Sequence, residues 1–347
     1  MYNLDGGKDM IIPKFINKGS VIGVVAPSDG ADNELKVKRF KNACKKLEDL
    51  GYKIKFSDSV FNSFMGRSTS AEQRAKEFNE MVSDSSVDLI MCASGGEFLL
   101  EILPYVDFEL LENNPKFVCG FSDPTGLLYP ITTRYDIATI YGKNFSHFGM
   151  EEYHKSEEDF LKIINGIDVV QDSYEKYEGT YLDKVTGLES YNLDSDVKWM
   201  TVKDEDIFIR GRIIGGCFDI ISDLVGTKYD GINEFNEKYK SDGIIWYFDN
   251  CEKSMDDVIR ILWKFNELGY FKYAKGVIFG RFGKEVSNTY ENLIDCLKDS
   301  VISKLDIPII YNADVSHKGP CLNIINGVIA EVEVKNNKWK VKFRISE

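Results

Sequence analysis

Apolar positions in the first half of the chain alternate between short continuous runs and longer stretches of helical spacing. Residues 21–26 form one apolar run, and residues 40–50 then carry apolar side chains at steps of three and four. Short apolar runs are typical of strands, and steps of three and four are typical of amphipathic helices. Further strands are predicted at residues 52–56, 87–93 and 116–121. This alternation predicts an α/β fold with a parallel sheet and helices on both of its faces.

The second half of the chain has a different pattern, with more strands and fewer helices between them. One helix is predicted to begin after Ser254, and a terminal hairpin is predicted to turn near Asn336 and Asn337. The predicted strands are residues 207–216, 243–249, 275–280 and 308–315. This pattern indicates a β-rich second domain with few covering helices.

An acidic stretch rich in tyrosine and asparagine separates these two patterns. It runs from about residue 151 to residue 206, and acidic runs of this kind are usually solvated loops rather than metal sites. We therefore predict an N-terminal α/β domain over residues 1–170, a linker or insert over residues 171–206 and a β-rich domain over residues 207–347.

Charge and composition exclude several classes of function. The 347-residue chain has a formal net charge of −13 and no basic stripe, so nucleic acid polymers and anionic membranes are not expected partners. No run is long enough to span a membrane, and residues 1–19 lack the pattern of a secretory signal. The seven cysteines are scattered without a C-x-x-C pair, which favours reduced thiols in the cytoplasm. A dinucleotide cofactor is not expected, since residues 27–30 lack the glycine pattern of a dinucleotide-binding turn.

Residues 119–125, with the sequence Cys-Gly-Phe-Ser-Asp-Pro-Thr, lie where a predicted strand turns into a helix. A serine hydroxyl on such a turn stands clear of the sheet edge, and the next backbone amide can face a tetrahedral oxyanion. Ser122 is therefore a candidate nucleophile for acyl transfer. The segment differs from the G-x-S-x-G elbow because Pro124 replaces the last glycine. A helix cap is the alternative, with Asp123 as N-cap and Pro124 as the first helical residue.

Gly95 and Gly96 follow another predicted strand, so they fall at the same carboxyl edge of the sheet as Ser122. Glycine leaves its backbone amide accessible, and the amides of Gly96 and Asp123 are our candidates for binding the oxyanion. A purely structural tight turn at the end of the strand explains the Gly-Gly pair equally well.

A serine nucleophile needs a base, and the chain contains three histidines. His154 lies in a charged helical stretch typical of a protein surface. His147 follows a strand, and it either lines a site or is a loop histidine bonded to backbone. His317 follows the strand at residues 308–315 in a loop with glycine and proline, where catalytic side chains concentrate, and it is the preferred base.

Asp249 is the best candidate for the carboxylate that orients this histidine. It ends the apolar run at residues 243–248, where a charge has no evident structural reason to be. A simple strand-end turn is an equally good explanation of Asp249. Glu252 is the alternative acid.

Further motifs accompany these candidates. The segments are residues 95–96, 103–107, 114–116, 119–125 and 210–216. In this order they resemble the LD-carboxypeptidase family, which includes the microcin C self-immunity peptidases, and the resemblance spans residues 19–334. It implies a Rossmann-like N-terminal domain, a C-terminal β-rich domain of swivelling-barrel type, and frequently a homodimer. It also implies amide hydrolysis without metal or cofactor, at a triad assembled across the domain interface.

The resemblance places the family's nucleophile, histidine and acid on Ser122, His317 and Asp249. Phe121 stands where the family has tyrosine, and Asp249 stands where it has the longer glutamate. Cys217 stands where the family usually has asparagine, at a turn associated with substrate contacts.

Three residues are candidate substrate contacts: Gly95, Trp199 and Cys217. Trp199 could stack on a substrate ring, and packing within the insert is the alternative. An arginine is expected to bind a substrate carboxylate. The candidates for this role are Arg134, Arg210, Arg212 and Arg281.

The resemblance implies a serine peptidase that hydrolyses an amide near the C-terminus of a small peptide. An LD-carboxypeptidase that acts on murein tetrapeptides during peptidoglycan recycling in the cytoplasm is the leading hypothesis. The first alternative is cleavage of a peptidyl-nucleotide, as in microcin C immunity. With its extra acidic segment, the chain resembles that branch of the family more than the short recycling enzymes. A non-catalytic peptide binder of the same fold is the second, because Asp249 replaces glutamate.

Overall fold

The computed structural model describes residues 9–345; residues 1–8, part of the predicted N-terminal domain and of the stretch without a signal pattern, lie outside the described residues, as do residues 346–347. The strands are β1 (Val21–Val25), β2 (Lys53–Phe56), β3 (Leu89–Cys92), β4 (Phe117–Gly120), β5 (Thr139–Tyr141), β6 (Val170–Asp172), β7 (Lys176–Tyr177), β8 (Ser195–Asp196), β9 (Met200–Thr201), β10 (Ile207–Cys217), β11 (Ile244–Asp249), β12 (Ala274–Gly280), β13 (Ile309–Ala313), β14 (Ile324–Asn326), β15 (Ile329–Lys335) and β16 (Lys338–Arg344). The helices are α1 (Glu34–Asp49), α2 (Ala71–Ser83), α3 (Phe108–Asn113), α4 (Thr125–Tyr135), α5 (Lys155–Ile164), α6 (Phe218–Leu224), α7 (Ile232–Lys238), α8 (Met255–Glu267) and α9 (Leu293–Asp299). No helix within the described range combines the length and the apolarity that crossing a membrane requires.

Six strands form the first sheet, in the order β14-β5-β4-β3-β1-β2. Neighbours among β1 to β5 run parallel, which confirms the predicted parallel sheet, and β14 joins β5 antiparallel. Both β3 and β4 are buried at every residue because each is a continuous apolar run. Since parallel strands end at one edge of a sheet, Gly96 after β3 and Ser122 after β4 lie at the same edge.

Eight strands form the second sheet, in the order β6-β16-β15-β10-β11-β12-β13-β9. The strands β10 to β13 run parallel, and the remaining pairs are antiparallel. Every residue of β11 is buried, and aromatic rings on α6 and α8 pack on it, with the Phe218 and Phe265 rings 5.1 Å and 6.1 Å from that of Phe248. The predicted fold class, an α/β domain followed by a β-rich unit, is confirmed.

The two halves of the chain exchange strands, which the sequence pattern did not predict. The short strand β6 lies at the boundary between the predicted first domain and the insert, and it pairs with β16 in the second sheet. The strand β14 follows the His317 loop but pairs with β5 in the first sheet. Within the insert, β7 pairs with β8, and β9 pairs with β13. The loop that carries His317 therefore lies between a strand of one sheet and a strand of the other.

Local signals in the sequence account for several element boundaries. The side chains of Ser70 and Ser254 accept hydrogen bonds at the starts of α2 and α8, and the helix after Ser254 is the one that the sequence predicts. In the first turn of α2, the side chain of Gln73 donates to Glu77 at 3.1 Å. Asn336 and Asn337 form the two-residue turn between β15 and β16 with φ of 50° and 59°, the backbone conformation that asparagine tolerates best after glycine.

Replacement of Gly280 by alanine should destabilise the protein. Gly280 ends β12 at the point where the chain approaches His317, and a Cβ atom there would overlap the carbonyl oxygen of Val315. We expect Gly280→Ala to lower the free energy of unfolding by about 1–3 kcal/mol, the usual cost of overpacking. Urea denaturation measures this change. The control is Gly226→Asn, since Gly226 has open space around it and a φ of 77° that asparagine tolerates; equal stability losses in the two variants would contradict the prediction.

Candidate active site

Ser122 lies on a sharp turn between β4 and α4 with a φ of 70°, a left-handed conformation that is strained for serine. Gly120 makes the turn possible, because a Cβ atom there would overlap Pro124. Gly95 lies directly against the serine, and a Cβ atom at Gly95 would be 3.1 Å from Cβ of Ser122. The turn therefore holds the hydroxyl clear of the sheet edge, beside the Gly-Gly segment.

The predicted cap at this turn is wrong in its details. The helix α4 begins at Thr125 with Pro124 as N-cap, one residue later than expected. The side chain of Asp123 is buried and accepts hydrogen bonds from the Ser28 hydroxyl and from the amide of Leu99, the latter at 3.0 Å. Burial raises the pKa of Asp123, which these donors partly offset. Asp123 thus joins the turn to the segment after Gly96 instead of capping the helix.

Asn144 holds the strand end just before Ser122, and sequence reasoning missed it. Its side-chain oxygen accepts from the amide of Phe121 at 2.9 Å, and its side-chain nitrogen donates to the carbonyl of Phe121 at 3.0 Å. One buried amide group thereby satisfies both backbone groups of the residue before the serine. A lone asparagine after a strand carries no pattern that would indicate this role.

His317 contacts both of its predicted partners. Its Nε2 atom lies 2.8 Å from Oγ of Ser122, and its Nδ1 atom lies 2.9 Å from Oδ1 of Asp249. The ring also packs against that of Phe121, with centroids 4.8 Å apart. Asp249 is fully buried at the end of β11, and the shorter aspartate side chain reaches the imidazole. The structure therefore brings together three side chains that are far apart in the sequence.

The charge of Asp249 controls the protonation of His317. Burial by itself favours the neutral imidazole and lowers the pKa of His317, but the adjacent carboxylate outweighs it through its charge and its hydrogen bond. The net result is a pKa well above the ordinary value for histidine.

The other two histidines, His147 and His154, each accept a hydrogen bond from a backbone amide. His147 lies in the wall of the cavity beside Ser122, and its Nδ1 atom is 3.0 Å from the amide of Asn144. Burial lowers the pKa of His147 to about 3. His154, expected at the surface, is partly exposed there: it caps α5 by accepting from the amide of Ser156 at 3.1 Å, and partial burial lowers its pKa to about 4.

Glu252, the alternative acid, has a different partner. Its side chain is exposed and forms an ion pair with Lys284 at 3.3 Å. The loop after β11 is fixed instead by Asp219 of α6, a residue that sequence reasoning missed. The carboxylate of Asp219 accepts from the backbone amides of Cys251, Glu252 and Lys253 at 2.9 to 3.1 Å. Asp249 therefore precedes a loop whose direction is set by three hydrogen bonds to one side chain.

A cavity of about 900 Å³ opens beside Ser122 and His317, with Gly95 in its floor. Residues 178–192 of the insert form one wall of this cavity. Arg39 of α1 holds the insert in place, since its guanidinium donates to the carbonyls of Gly187 and Glu189 at 3.1 Å and 3.0 Å. The insert is thus part of the candidate site and not a detached linker.

The insert also packs on the loop that carries His317. The Tyr181 hydroxyl donates to the carbonyl of His317 at 2.6 Å, and the amide of Glu178 donates to the carbonyl of Gly319 at 2.8 Å. Tyr191 packs against Gly319, and its hydroxyl donates to the carboxylate of Glu157 at 2.9 Å. Glu157 also forms a buried ion pair with Lys143. The nitrogen and oxygen of that pair are 2.6 Å apart.

Two of the three candidate substrate contacts do not line the cavity. Trp199 is fully buried, stacks on Trp339 with centroids 4.7 Å apart, and donates from its indole to Asp314 at 3.0 Å. Its packing alternative is therefore correct. Cys217 is buried as well, and its amide donates to the Thr125 hydroxyl at 2.9 Å. Only Gly95 borders the cavity.

None of the four candidate arginines borders the cavity either. Arg281 forms a buried ion pair with Asp314 at 2.6 Å, and Arg212 pairs with Asp242 at 2.6 Å. The cationic side chains in the cavity wall are Arg39 and Lys184, which the sequence pattern did not single out. Across residues 9–345, no group of three or more histidine, cysteine or acidic side chains is arranged to hold a metal ion.

Comparison with known proteins places this site in a family. The family model of the LD-carboxypeptidase N-terminal domain matches residues 22–142, and that of the C-terminal domain matches residues 210–332. A probable murein peptide carboxypeptidase of Bacillus subtilis is 23% identical, over 96% of this chain and 95% of its own. The microcin C7 self-immunity protein MccF of Escherichia coli is 24% identical, over 93% of each chain.

The fold agrees with this relationship. The crystal structure of an MccF-like protein from Bacillus anthracis has a TM-score of 0.80 at 25% identity and covers 96% of this chain and 99% of that one. The matched ranges of the two family models include Ser122 in the first and Asp249 and His317 in the second. The chain belongs to the LD-carboxypeptidase family.

Proposed function

We propose that the protein is a serine carboxypeptidase-like hydrolase that cleaves an amide bond near the C-terminus of a small peptide. Ser122 is the nucleophile, His317 is the general base, and Asp249 orients the base. One observation carries the proposal: an unbroken series of contacts from Asp249 through His317 to Ser122, each shorter than 3 Å, at the floor of an open cavity.

In this mechanism Oγ of Ser122 attacks the carbonyl carbon of the substrate while Nε2 of His317 accepts the hydroxyl proton. The Asp249 carboxylate stabilises the imidazolium that forms. His317 then donates the proton to the leaving amine, so the carbon–nitrogen bond breaks and an acyl-enzyme remains. A water molecule then attacks the carbonyl carbon of the acyl-enzyme while His317 accepts a proton from it. His317 returns this proton to Oγ of Ser122 as the ester bond breaks, and the carboxylate product leaves.

The amides of Gly96 and Asp123 are our candidates for binding the oxyanion of the tetrahedral intermediate. In the described part of the chain, neither amide donates a hydrogen bond to another protein group. Gly96 has a φ of 157°, and a Cβ atom there would overlap the Ser28 hydroxyl, so this position requires glycine. The hydrogen bond from the amide of Leu99 to the Asp123 carboxylate, at 3.0 Å, ties the two amide-bearing segments together.

A murein tetrapeptide is the proposed substrate, in line with the family description and with the murein peptide carboxypeptidase among the relatives. A peptidyl-nucleotide is the alternative, favoured by the insert that walls the cavity and by the immunity protein among the relatives. A cavity of about 900 Å³ is large enough for either. We further propose that the protein acts in the cytoplasm, in peptidoglycan recycling, and as a homodimer.

A non-catalytic binder is the weaker hypothesis. Its basis is the shorter carboxylate of Asp249, which replaces glutamate. The 2.9 Å distance from Asp249 to His317 supports the catalytic proposal over this one.

Ser122→Ala should abolish turnover while leaving the fold intact. We expect only the residual rate that binding and the oxyanion site supply, roughly 10³ to 10⁴ above water. Product release from an L,D-tetrapeptide and from a peptidyl-aspartyl nucleotide analogue measures the loss and identifies the substrate. Ser146→Ala is the matched control, because Ser146 borders the same cavity without contacting His317. Undiminished turnover in Ser122→Ala would refute the proposed nucleophile.

Asp249→Asn should lower kcat by about 10⁴-fold, because an amide cannot hold the imidazole in the required tautomer or stabilise its charged form. Glu252→Gln should have little effect, since Glu252 pairs with Lys284 at the surface. Steady-state kinetics on both variants decides between the two acids. The reverse order of effects would reassign the role to Glu252.

The rate should rise with pH as His317 loses its proton. Because Asp249 raises the pKa of His317, the midpoint of the kcat/KM profile should lie above 6.5, the ordinary value for histidine. Below the midpoint the rate should fall about tenfold per pH unit, since only the neutral imidazole accepts the serine proton. A pH profile with its midpoint at or below 6.5 would be inconsistent with this assignment.

A further inference from the structure

The carboxylate of Asp249 has a second partner besides His317. The hydroxyl of Tyr141 donates to Oδ2 of Asp249 at 2.6 Å, while Oδ1 faces Nδ1 of His317 at 2.9 Å. Tyr141 and Asp249 are both fully buried. Each oxygen of the carboxylate therefore has one donor, in a place where water does not compete.

The backbone of Tyr141 connects the segments that carry the other reacting groups. Tyr141 ends β5, where it pairs with Gly120 of β4, two residues before Ser122. On its other side it pairs with Ile324 of β14, seven residues after His317. A displacement of Tyr141 would therefore also displace the chain segments that carry Ser122, His317 and Asp249.

A carboxylate can rotate about its terminal torsion, which has a broad energy profile. A donor on Oδ2 removes this freedom and keeps Oδ1 directed at the imidazole. It also draws part of the negative charge away from the oxygen that faces His317. Both effects require the hydroxyl, whereas the ring of Tyr141 serves only packing.

We propose that Tyr141 is a positioning residue for this hydrolase, whose hydroxyl orients the Asp249 carboxylate and sets how strongly it holds the proton on His317. The inference rests on the proposed function of Ser122, His317 and Asp249. Tyr141 does not border the cavity, so it acts on the reaction through Asp249 and not on the substrate.

Tyr247 provides a matched control. It is also fully buried, its ring lies 5.7 Å from that of Tyr141, and its hydroxyl donates to Asn326 at 2.9 Å. Removal of either hydroxyl leaves a similar defect in the same core. Only the Tyr141 hydroxyl touches Asp249.

Other titratable groups also face this pair and influence its protonation. The groups around His317 and Asp249, besides Ser122 and Tyr141, are Glu97, Tyr181, Cys217, Tyr247, Cys251 and Cys321. All of these groups are present in Tyr141→Phe, and all of them except Tyr247 are present in Tyr247→Phe. The comparison of the two variants therefore isolates the Tyr141 hydroxyl.

The test is the pH profile of kcat and KM for Tyr141→Phe and Tyr247→Phe. In Tyr141→Phe we expect kcat to fall about ten- to hundredfold, the range for a lost hydrogen bond to a charged group, with KM unchanged. The midpoint of the profile should move to higher pH, because the carboxylate then concentrates its charge on His317. In Tyr247→Phe the midpoint should stay in place. A Tyr141→Phe midpoint that is unchanged or lower overturns the proposal.

A double-mutant cycle separates positioning from a general defect. In the Asp249→Asn background, Tyr141→Phe should cost less than about twofold, since the group it positions is gone. The same loss in both backgrounds would show a structural role only and overturns the proposal. If Ser122→Ala keeps its activity, the proposed function fails; if Ser122→Ala is inactive and the cycle is additive, only the role of Tyr141 fails.

A second substitution covers the case in which Tyr141→Phe does not fold. Incorporation of 3-fluorotyrosine at position 141 keeps the shape and strengthens the hydroxyl as a donor. The midpoint should then move to lower pH, opposite to the Tyr141→Phe shift. An unchanged midpoint with 3-fluorotyrosine counts against the proposal in the same way.

Discussion

The contact between the Asp249 carboxylate and the His317 imidazole joins the end of β11 to the loop after β13. A buried carboxylate is costly unless each oxygen is paired, and here the imidazole and the Tyr141 hydroxyl pair both. Because the same imidazole reaches Ser122, this buried group links the second sheet to the nucleophile turn of the first. Much of the surrounding structure, from the amide of Asn144 to the carboxylate of Asp219, holds the ends of this connection in place.

The sequence is most informative where local physics decides the outcome. Continuous apolar runs locate β4 and β11, and the residue pattern alone therefore places Ser122 and Asp249 at strand ends. His317 follows from a short choice among three histidines and from its position in a loop after a predicted strand. These residues depend on neighbours close in the chain, and their positions are predictable for that reason.

The remainder of the site depends on contacts between distant residues. Tyr141 and Asp249 are 108 positions apart, and no periodicity relates them. The sequence suggests Trp199 as a substrate contact, yet its indole finds Asp314 at a separation of 115 positions, in the core. Arg281 is a candidate for binding substrate by its chemistry and pairs with the same buried aspartate. Only the folded structure shows which polar side chains already form hydrogen bonds or ion pairs with one another.

The exchange of β14 between the two sheets also bears on how the chain is made. During synthesis the outer edge of β5 lacks its partner β14 until residues 324–326 leave the ribosome, after strands β6 to β13 have been made. An unpaired edge strand is a site for wrong pairing with other chains. The nascent protein therefore carries an incomplete first sheet while strands β6 to β13 are made, and the strand that completes this sheet follows the loop that carries His317.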